Sequence, residues 1–250
     1  MNAISKFRYA ETIKMVVYDT LSGEKKPLPK DGELKLFVCG PTVYDYIHIG
    51  NARTYSVFDT IVRYLRSQKI KVRYLQNITD IDDKIIKRAQ EEKKHSTTIA
   101  NFYARAYKQD TRGLGIFSVN KYAPATRFIR PIVKQIQSLL EKGAAYKIEG
   151  EGYYFDISKF PEYGKLSRRT TEQAEDSVSR IDEGINKKNK GDFALWKFSK
   201  PGEPSWKTAL GEGRPGWHIE DTAITEYFFG PQYDLHGGGI RAAAEGLRPA

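Results

Sequence analysis

The chain has a single cysteine, Cys39, in 250 residues, which excludes an internal disulfide framework and fits a reducing compartment. No apolar run approaches the ~18 residues of a membrane span, so no membrane partner is expected. Residues 1–14 are mixed polar, lack the apolar core of a secretory signal and read as an N-terminal extension. Internal repeats and low-complexity tracts are absent as well. Together these absences set the expectation of a cytoplasmic globular protein. What the chain has in excess is positive charge: 41 Lys and Arg against 31 Asp and Glu leave a net +10, a field that attracts polyanions, nucleic acid being the commonest. With 40% hydrophobic residues it can bury the core of one large domain or two small ones.

The stretch 36–53 organises the rest. Leu36 to Cys39 is a β-prone run, Gly40-Pro41 a turn, and His48-Ile49-Gly50-Asn51 a helix opening. Val16 to Tyr18 reads as an earlier strand, and Ser22 to Gly32 as turn and loop. From Ala52 to Arg66, Tyr55, Phe58, Ile61, Val62 and Leu65 recur at helical spacing. Lys71 to Ile78 alternates as a strand with Val72, Tyr74 and Gln76 on one face. Strand, helix and strand in this order predict a βαβ crossover with parallel strands, whose ligands sit beyond the carboxyl ends. That rule makes neighbours of Cys39-Gly40 and Asn77-Ile78-Thr79-Asp80. Thr79 or Asp80 is the expected cap of the next helix, and the acids that follow read most simply as capping and solvating it.

Ser96 to Lys108 and Pro124 to Gly143 are further helices, the second ending at a glycine. Tyr146-Lys147-Ile148 and Tyr153 to Ile157, joined by Glu149 to Gly152, predict a hairpin that breaks the βα alternation. The lysines at 187, 188 and 190 end a basic stretch from Arg180 that reads as a flexible, solvated loop. Asp192 to Lys197 is a buried-strand pattern, 201–206 an irregular loop, and Gly213 to Thr222 a turn before a helical run. Gly237-Gly238-Gly239 after a short strand would let backbone lie flat against a ligand. The fold class expected is α/β: a Rossmann-type parallel sheet with helices on both faces, split by an inserted connective region carrying a β-hairpin. The boundaries expected are 15–98 for the first half, 99–190 for the insertion, 191–239 for a partial second half, and 240–250 as a tail.

Singly these motifs are weak. In this order, Phe37 to Asp45, His48 to Asn51, Asn77 to Lys84, Tyr163 to Arg168, Asp192 to Lys197, Gly213 to Glu220 and His236 to Gly239 resemble the cysteinyl-tRNA synthetase family of class I aminoacyl-tRNA synthetases, over about residues 15–239. The resemblance implies ATP-dependent activation of L-cysteine to cysteinyl-adenylate and transfer to tRNA(Cys). It implies ATP contacts from His48, Gly50, Asn51, Gly237, Gly238 and Gly239, with His48 and Asn51 at the catalytic positions. Asn51 stands where the family usually has a second histidine. L-cysteine contacts are implied for Gly40, Thr79, Trp217 and His236. A zinc ion that binds the substrate thiolate is implied too, with Cys39 as first ligand and Asp221 in the place of a second cysteine.

After Gly239 the resemblance stops: 240–250 lacks the segment with the last two zinc ligands, and the lysine loop and anticodon-binding region do not follow. The chain is therefore expected to be incomplete at the C-terminus, with an incomplete zinc site and reduced or no activity, and a monomer is favoured. Two other readings are a catalytically silent paralogue that binds RNA or protein, and a ligase that joins cysteine to an amino-sugar.

Overall fold

A computed structural model of the chain describes residues 15–28, 32–166 and 186–238. The expected extension 1–14, the tail 240–250 and Gly239 lie outside the described residues, as do Ser167 and Arg168.

Four strands form a wholly parallel sheet: β3 (Glu33–Val38), β4 (Lys71–Ile78), β5 (Lys121–Pro124) and β11 (Leu235–Gly237), in the order β11-β3-β4-β5. Between β3 and β4 runs α1 (Ile49–Ser67), and between β4 and β5 run α2 (Asp83–Glu91) and α3 (Ser96–Gly113). Strand parity sorts the core. Leu34, Leu36, Val38, Val72 and Tyr74 face α1 and α3, burying Tyr55, Val62, Leu65, Ile99, Tyr103 and Tyr107. Phe37, Leu75 and Ala123 point the other way, to α4 (Ile129–Glu141) and α5 (Trp217–Phe229). Both sheet faces are covered, which is why β3 ends in the apolar run Leu36-Phe37-Val38 and β4 is buried from Tyr74 to Ile78.

The second sheet is antiparallel, in the order β6-β7-β8-β10-β9, from Ala145–Ile148, Gly152–Phe155, Phe193–Phe198, Gly211–Pro215 and Trp206–Thr208. Its Phe155, Phe193, Leu195 and Trp196 join the core under α4 and α5. A small hairpin, β1 (Val16–Asp19) with β2 (Glu24–Pro27), precedes the parallel sheet.

The split parallel sheet and the hairpin at 145–155 agree with the sequence, but several local expectations need correction. The expected insertion boundary at 99 falls inside α3, and β5 still pairs with β4, so antiparallel structure starts at Ala145. Nor does the parallel sheet resume at 191: β8, β9 and β10 all extend the antiparallel sheet, and only β11 returns. The signal failed because β8 is buried on both faces, a pattern that parallel and sandwiched strands share. Within the expected loop 22–32, Glu24–Pro27 is a strand; all four residues are exposed, so no alternation marked it. The helix expected from Pro124 begins as the last residue of β5 and a 3-10 turn, Ala125–Phe128, before α4. At its far end, Gly143 at φ 68° lets Ala144 N bond back to Leu139 O, as the glycine stop implied.

The helix after β4 is capped by Asp82, which accepts from Lys84 N at 2.9 Å, and not by Thr79 or Asp80. Asp80 instead accepts from Thr126 N (2.9 Å) and Thr126 Oγ1 (2.6 Å), which fixes the end of β4 to the 3-10 turn. Asp83 pairs with Lys197 (2.9 Å) and with the buried Arg214, tying α2 to the antiparallel sheet. Lys187 and Lys188 are likewise anchored: Lys187 Nζ donates to Asp192 O at 3.1 Å, and Lys188 Nζ lies 4.3 Å from the Tyr146 ring centroid. The expectation of a free solvated loop fails at those two residues, because Asp192, just before β8, and Tyr146, on β6, supply partners.

Candidate functional site

The carboxyl ends of β11, β3 and β4 meet the start of α1 and the first turns of α5. Register decides which side chains share a face. His236 pairs with Phe37, and Phe37 with Leu75, so His236, Cys39, Asn77 and Thr79 all point to the α5 side. Beyond the strands the ends stay clamped: Thr79 N donates to Pro41 O and Val43 N to Thr79 O, each at 3.1 Å, while Cys39 N donates to Gly237 O at 3.0 Å.

On that face a polar cluster forms. Gly40 N donates to Asn77 Oδ1 at 2.6 Å, and Thr79 Oγ1 donates to Glu220 Oε2 at 2.8 Å. Asp221, half-buried, takes hydrogen bonds from the Cys39 and Asn77 side chains. Its loss of water raises the carboxyl to about 6, and those two bonds only partly oppose the rise. Glu220 is wholly buried, and burial lifts it well above the usual carboxylate range, with the charges of Asp221, Asp80 and Asp82 adding to the lift. Its second oxygen, Oε1, has no hydrogen-bond partner among the described residues. Trp217 lies four residues before Asp221, hence on the same side of α5, with its ring stacked 4.3 Å from that of His218. His236 is held by Tyr233, Oη to Nδ1 at 2.6 Å, and meets Phe37 edge-on at 5.2 Å.

At the mouth of α1 the arrangement is different. His48 is the cap: its Nδ1 accepts from Gly50 N (3.0 Å) and Asn51 N (3.3 Å), while Asn51 Oδ1 accepts from His48 N at 3.4 Å. An Nδ1 that accepts leaves the proton on Nε2, so exposed His48 presents an N–H outward at the positive end of a helix whose first turn holds no acid. The Asn51 side chain also reaches the hydroxyl of buried Tyr55.

Two glycines have structural reasons that the sequence did not reveal. A Cβ on Gly50 would come 2.8 Å from His48 Cε1, so its absence makes room for the capping imidazole. A Cβ on Gly237 would come 2.2 Å from Phe58 Cζ, so at this glycine the lack of a side chain makes room for Phe58 of α1. Gly238 follows at the edge of the cluster, half-buried.

Of the residues named from the sequence, Cys39, Gly40, Thr79 and Asp221 come together through bonds or shared partners. Trp217 and His236 lie on the same side, and His48, Gly50 and Asn51 form a separate group at the helix start. Sequence reasoning missed Asn77, Glu220 and Tyr55. The first two are polar residues inside otherwise buried runs, a signal that was available; Tyr55 was indistinguishable from core. Among the described residues no three His, Cys, Asp or Glu side chains form a group able to hold a metal. A zinc site needs three or four protein ligands, so the pair Cys39 and Asp221 does not complete one, and no chemical step here runs through zinc.

A parallel sheet with polar groups gathered at its carboxyl strand ends, beside the start of a helix, is the arrangement of a Rossmann-type nucleotide-binding domain. The methionyl-tRNA synthetase of Mycobacterium tuberculosis, solved with methionyl-adenylate, aligns with TM-score 0.57 over 83% of this chain and 51% of that one; at 14% identity this shows the fold alone. The family model described as tRNA synthetases class I (C) catalytic domain matches residues 26–243, and the chain belongs to that family. Its curated relatives include the cysteine–tRNA ligases of Thermoplasma acidophilum, 48% identical over 227 residues, and Pyrococcus furiosus, 47% over 226. These alignments cover 90% and 89% of this chain but 50% and 47% of the relatives, so the chain spans about half the length of the curated relatives it matches.

Proposed function

We propose that this chain carries the substrate-activating site of a cysteine–tRNA ligase, with L-cysteine, ATP and tRNA(Cys) as its substrates. The observation that carries the reading is the convergence of Cys39, Asn77, Thr79, Glu220 and Asp221 on one face of the strand ends, beside a helix start that presents the His48 N–H.

In this reading the amino acid lies over Gly40 and Thr79, between Trp217 and His236, and the ATP phosphates lie at the start of α1. The L-cysteine carboxylate attacks the α-phosphorus, the bond to the bridging oxygen breaks, and pyrophosphate leaves with cysteinyl-adenylate formed. The 3′-terminal ribose hydroxyl of the tRNA then takes the acyl group, and AMP departs. The protein's share is positioning and charge stabilisation. His48 donates from Nε2 toward phosphate oxygen, and the N-terminus of α1 favours the developing negative charge. Asn51 maintains the cap that aims His48. Thr79, fixed by Glu220, and Gly40, fixed by Asn77, orient the amino acid.

Calorimetric titration tests both halves. Thr79→Ala is expected to weaken L-cysteine binding about tenfold with little effect on ATP, and His48→Ala to do the reverse. Equal loss of both ligands in both variants, or no loss, would count against the assignment. Zinc, offered only Cys39 and Asp221, is expected to be lost on dialysis against a chelator; stoichiometric retention would contradict that ligand count.

A further inference from the structure

Tyr55 follows Asn51 by four residues on α1 and turns into the core: it is 2% exposed, and its ring meets that of Tyr107 edge-on at 5.5 Å. A phenylalanine would pack there equally well, so the hydroxyl is the feature that needs a cause. Burying a phenol oxygen costs free energy unless it finds a partner, and the partner is the Asn51 side chain. Loss of water holds the hydroxyl well above its ordinary pKa, so it meets the amide as a neutral group that can accept. Asn51 is thereby used on both arms. The His48 backbone N–H can only donate, so the arm facing it at 3.4 Å is Oδ1, which leaves Nδ2 to donate to Tyr55 Oη. Asn51 N completes the cap by donating to His48 Nδ1 at 3.3 Å, beside Gly50 N at 3.0 Å.

We propose that Tyr55 is a positioning residue for the ATP site: its buried hydroxyl fixes the plane of the Asn51 amide, and through Asn51 the cap that aims His48 Nε2 at phosphate. The last torsion of an asparagine side chain is broad, and a single contact at 3.4 Å is too long to fix it. A second hold from the opposite arm does. The same geometry gives asparagine a reason to stand at 51, since a short amide fits between the His48 backbone and a hydroxyl four residues on. The inference rests on reading His48 as an ATP contact.

Variants of the intact chain test it. Tyr55→Phe keeps the ring and removes the hydroxyl; calorimetry with a non-hydrolysable ATP analogue should show affinity reduced about fivefold, with L-cysteine affinity unchanged. Tyr107→Phe removes a hydroxyl from the same buried cluster, one bonded to Gln76 Oε1 and not to Asn51. It should lower the melting temperature at least as much as Tyr55→Phe and leave ATP-analogue affinity at the wild-type value. Equal loss of affinity in the two variants would make the role one of packing and overturn the proposal. A double-mutant cycle with Asn51→Ala reads the route: in that background Tyr55→Phe should weaken the analogue by less than about twofold, and full additivity overturns the proposal. Amide hydrogen exchange at Gly50 and Asn51, followed by NMR in the ligand-free chain, separates this inference from the ligase reading. Faster exchange in Tyr55→Phe but not in Tyr107→Phe supports the positioning role by itself, and a wild type that binds no ATP analogue would then contradict only the ligase reading. Wild-type exchange in Tyr55→Phe overturns the positioning role.

Discussion

At the scale of single residues, the site depends on small polar attachments. Asn77→Ala removes the acceptor for Gly40 N and one of the two donors to Asp221, so it should cost about 1–2 kcal/mol of stability in denaturant melts, and L-cysteine affinity should fall with it. Gly50→Ala pushes the imidazole off the helix start; the lost cap should lower stability by about 1 kcal/mol and weaken ATP binding, whereas wild-type values for both would show that the ring relocates freely. Gly237→Ala meets Phe58 and should destabilise by about 1–3 kcal/mol. Cys39, Gly40 and Thr79 could be placed together from the sequence because they stand at neighbouring strand ends, whereas Asp221 came only from the family resemblance. Glu220 stands out only as a polar residue in a buried run; its partner was not legible, since the contact with Thr79 spans 141 positions.

At the scale of elements, one carboxylate, Asp83, joins α2 to the antiparallel sheet through two ion pairs. Burial alone would raise the Asp83 carboxyl, but Arg214 and Lys197 outweigh it and hold the group below the ordinary carboxylate range. A group depressed in the folded state contributes stability above its unfolded pKa, and that contribution is lost as pH falls through the folded value. Melting temperature should therefore drop more steeply for wild type than for Asp83→Asn on acidification from pH 5 downward; parallel curves would refute the coupling. Arg214→Ala, leaving Asp83 and the half-buried Glu203 without their shared cation, should cost on the order of 2 kcal/mol by urea melts, less than a fully buried pair because Asp83 is partly exposed. The strands β3 and β4 and the helices packed on them were legible because 3.6- and 2-residue periods mark them; β5, four residues that run straight into a 3-10 turn, was not. The acids from Asp80 to Asp83 were legible only as helix caps, since Thr126, Lys197 and Arg214 reach them from other elements.

At the scale of the whole molecule, the parallel sheet provides two different faces and one shared end. The α1 face brings the His48 group to that end, the α5 face brings the Cys39 and Thr79 group, and the antiparallel sheet braces α5 through Phe193, Leu195 and Ile219. The order of motifs made this architecture readable, but the boundary between sheets was not, because buried antiparallel and buried parallel strands look alike in one dimension. The account's central claim is that the strand-end cluster binds L-cysteine beside an ATP site. Calorimetric binding of L-cysteine in the presence of a non-hydrolysable ATP analogue tests it most directly. The account predicts saturable L-cysteine binding that Thr79→Ala weakens. Unchanged binding in Thr79→Ala, or no cysteine binding by a chain that still binds the ATP analogue, would contradict it.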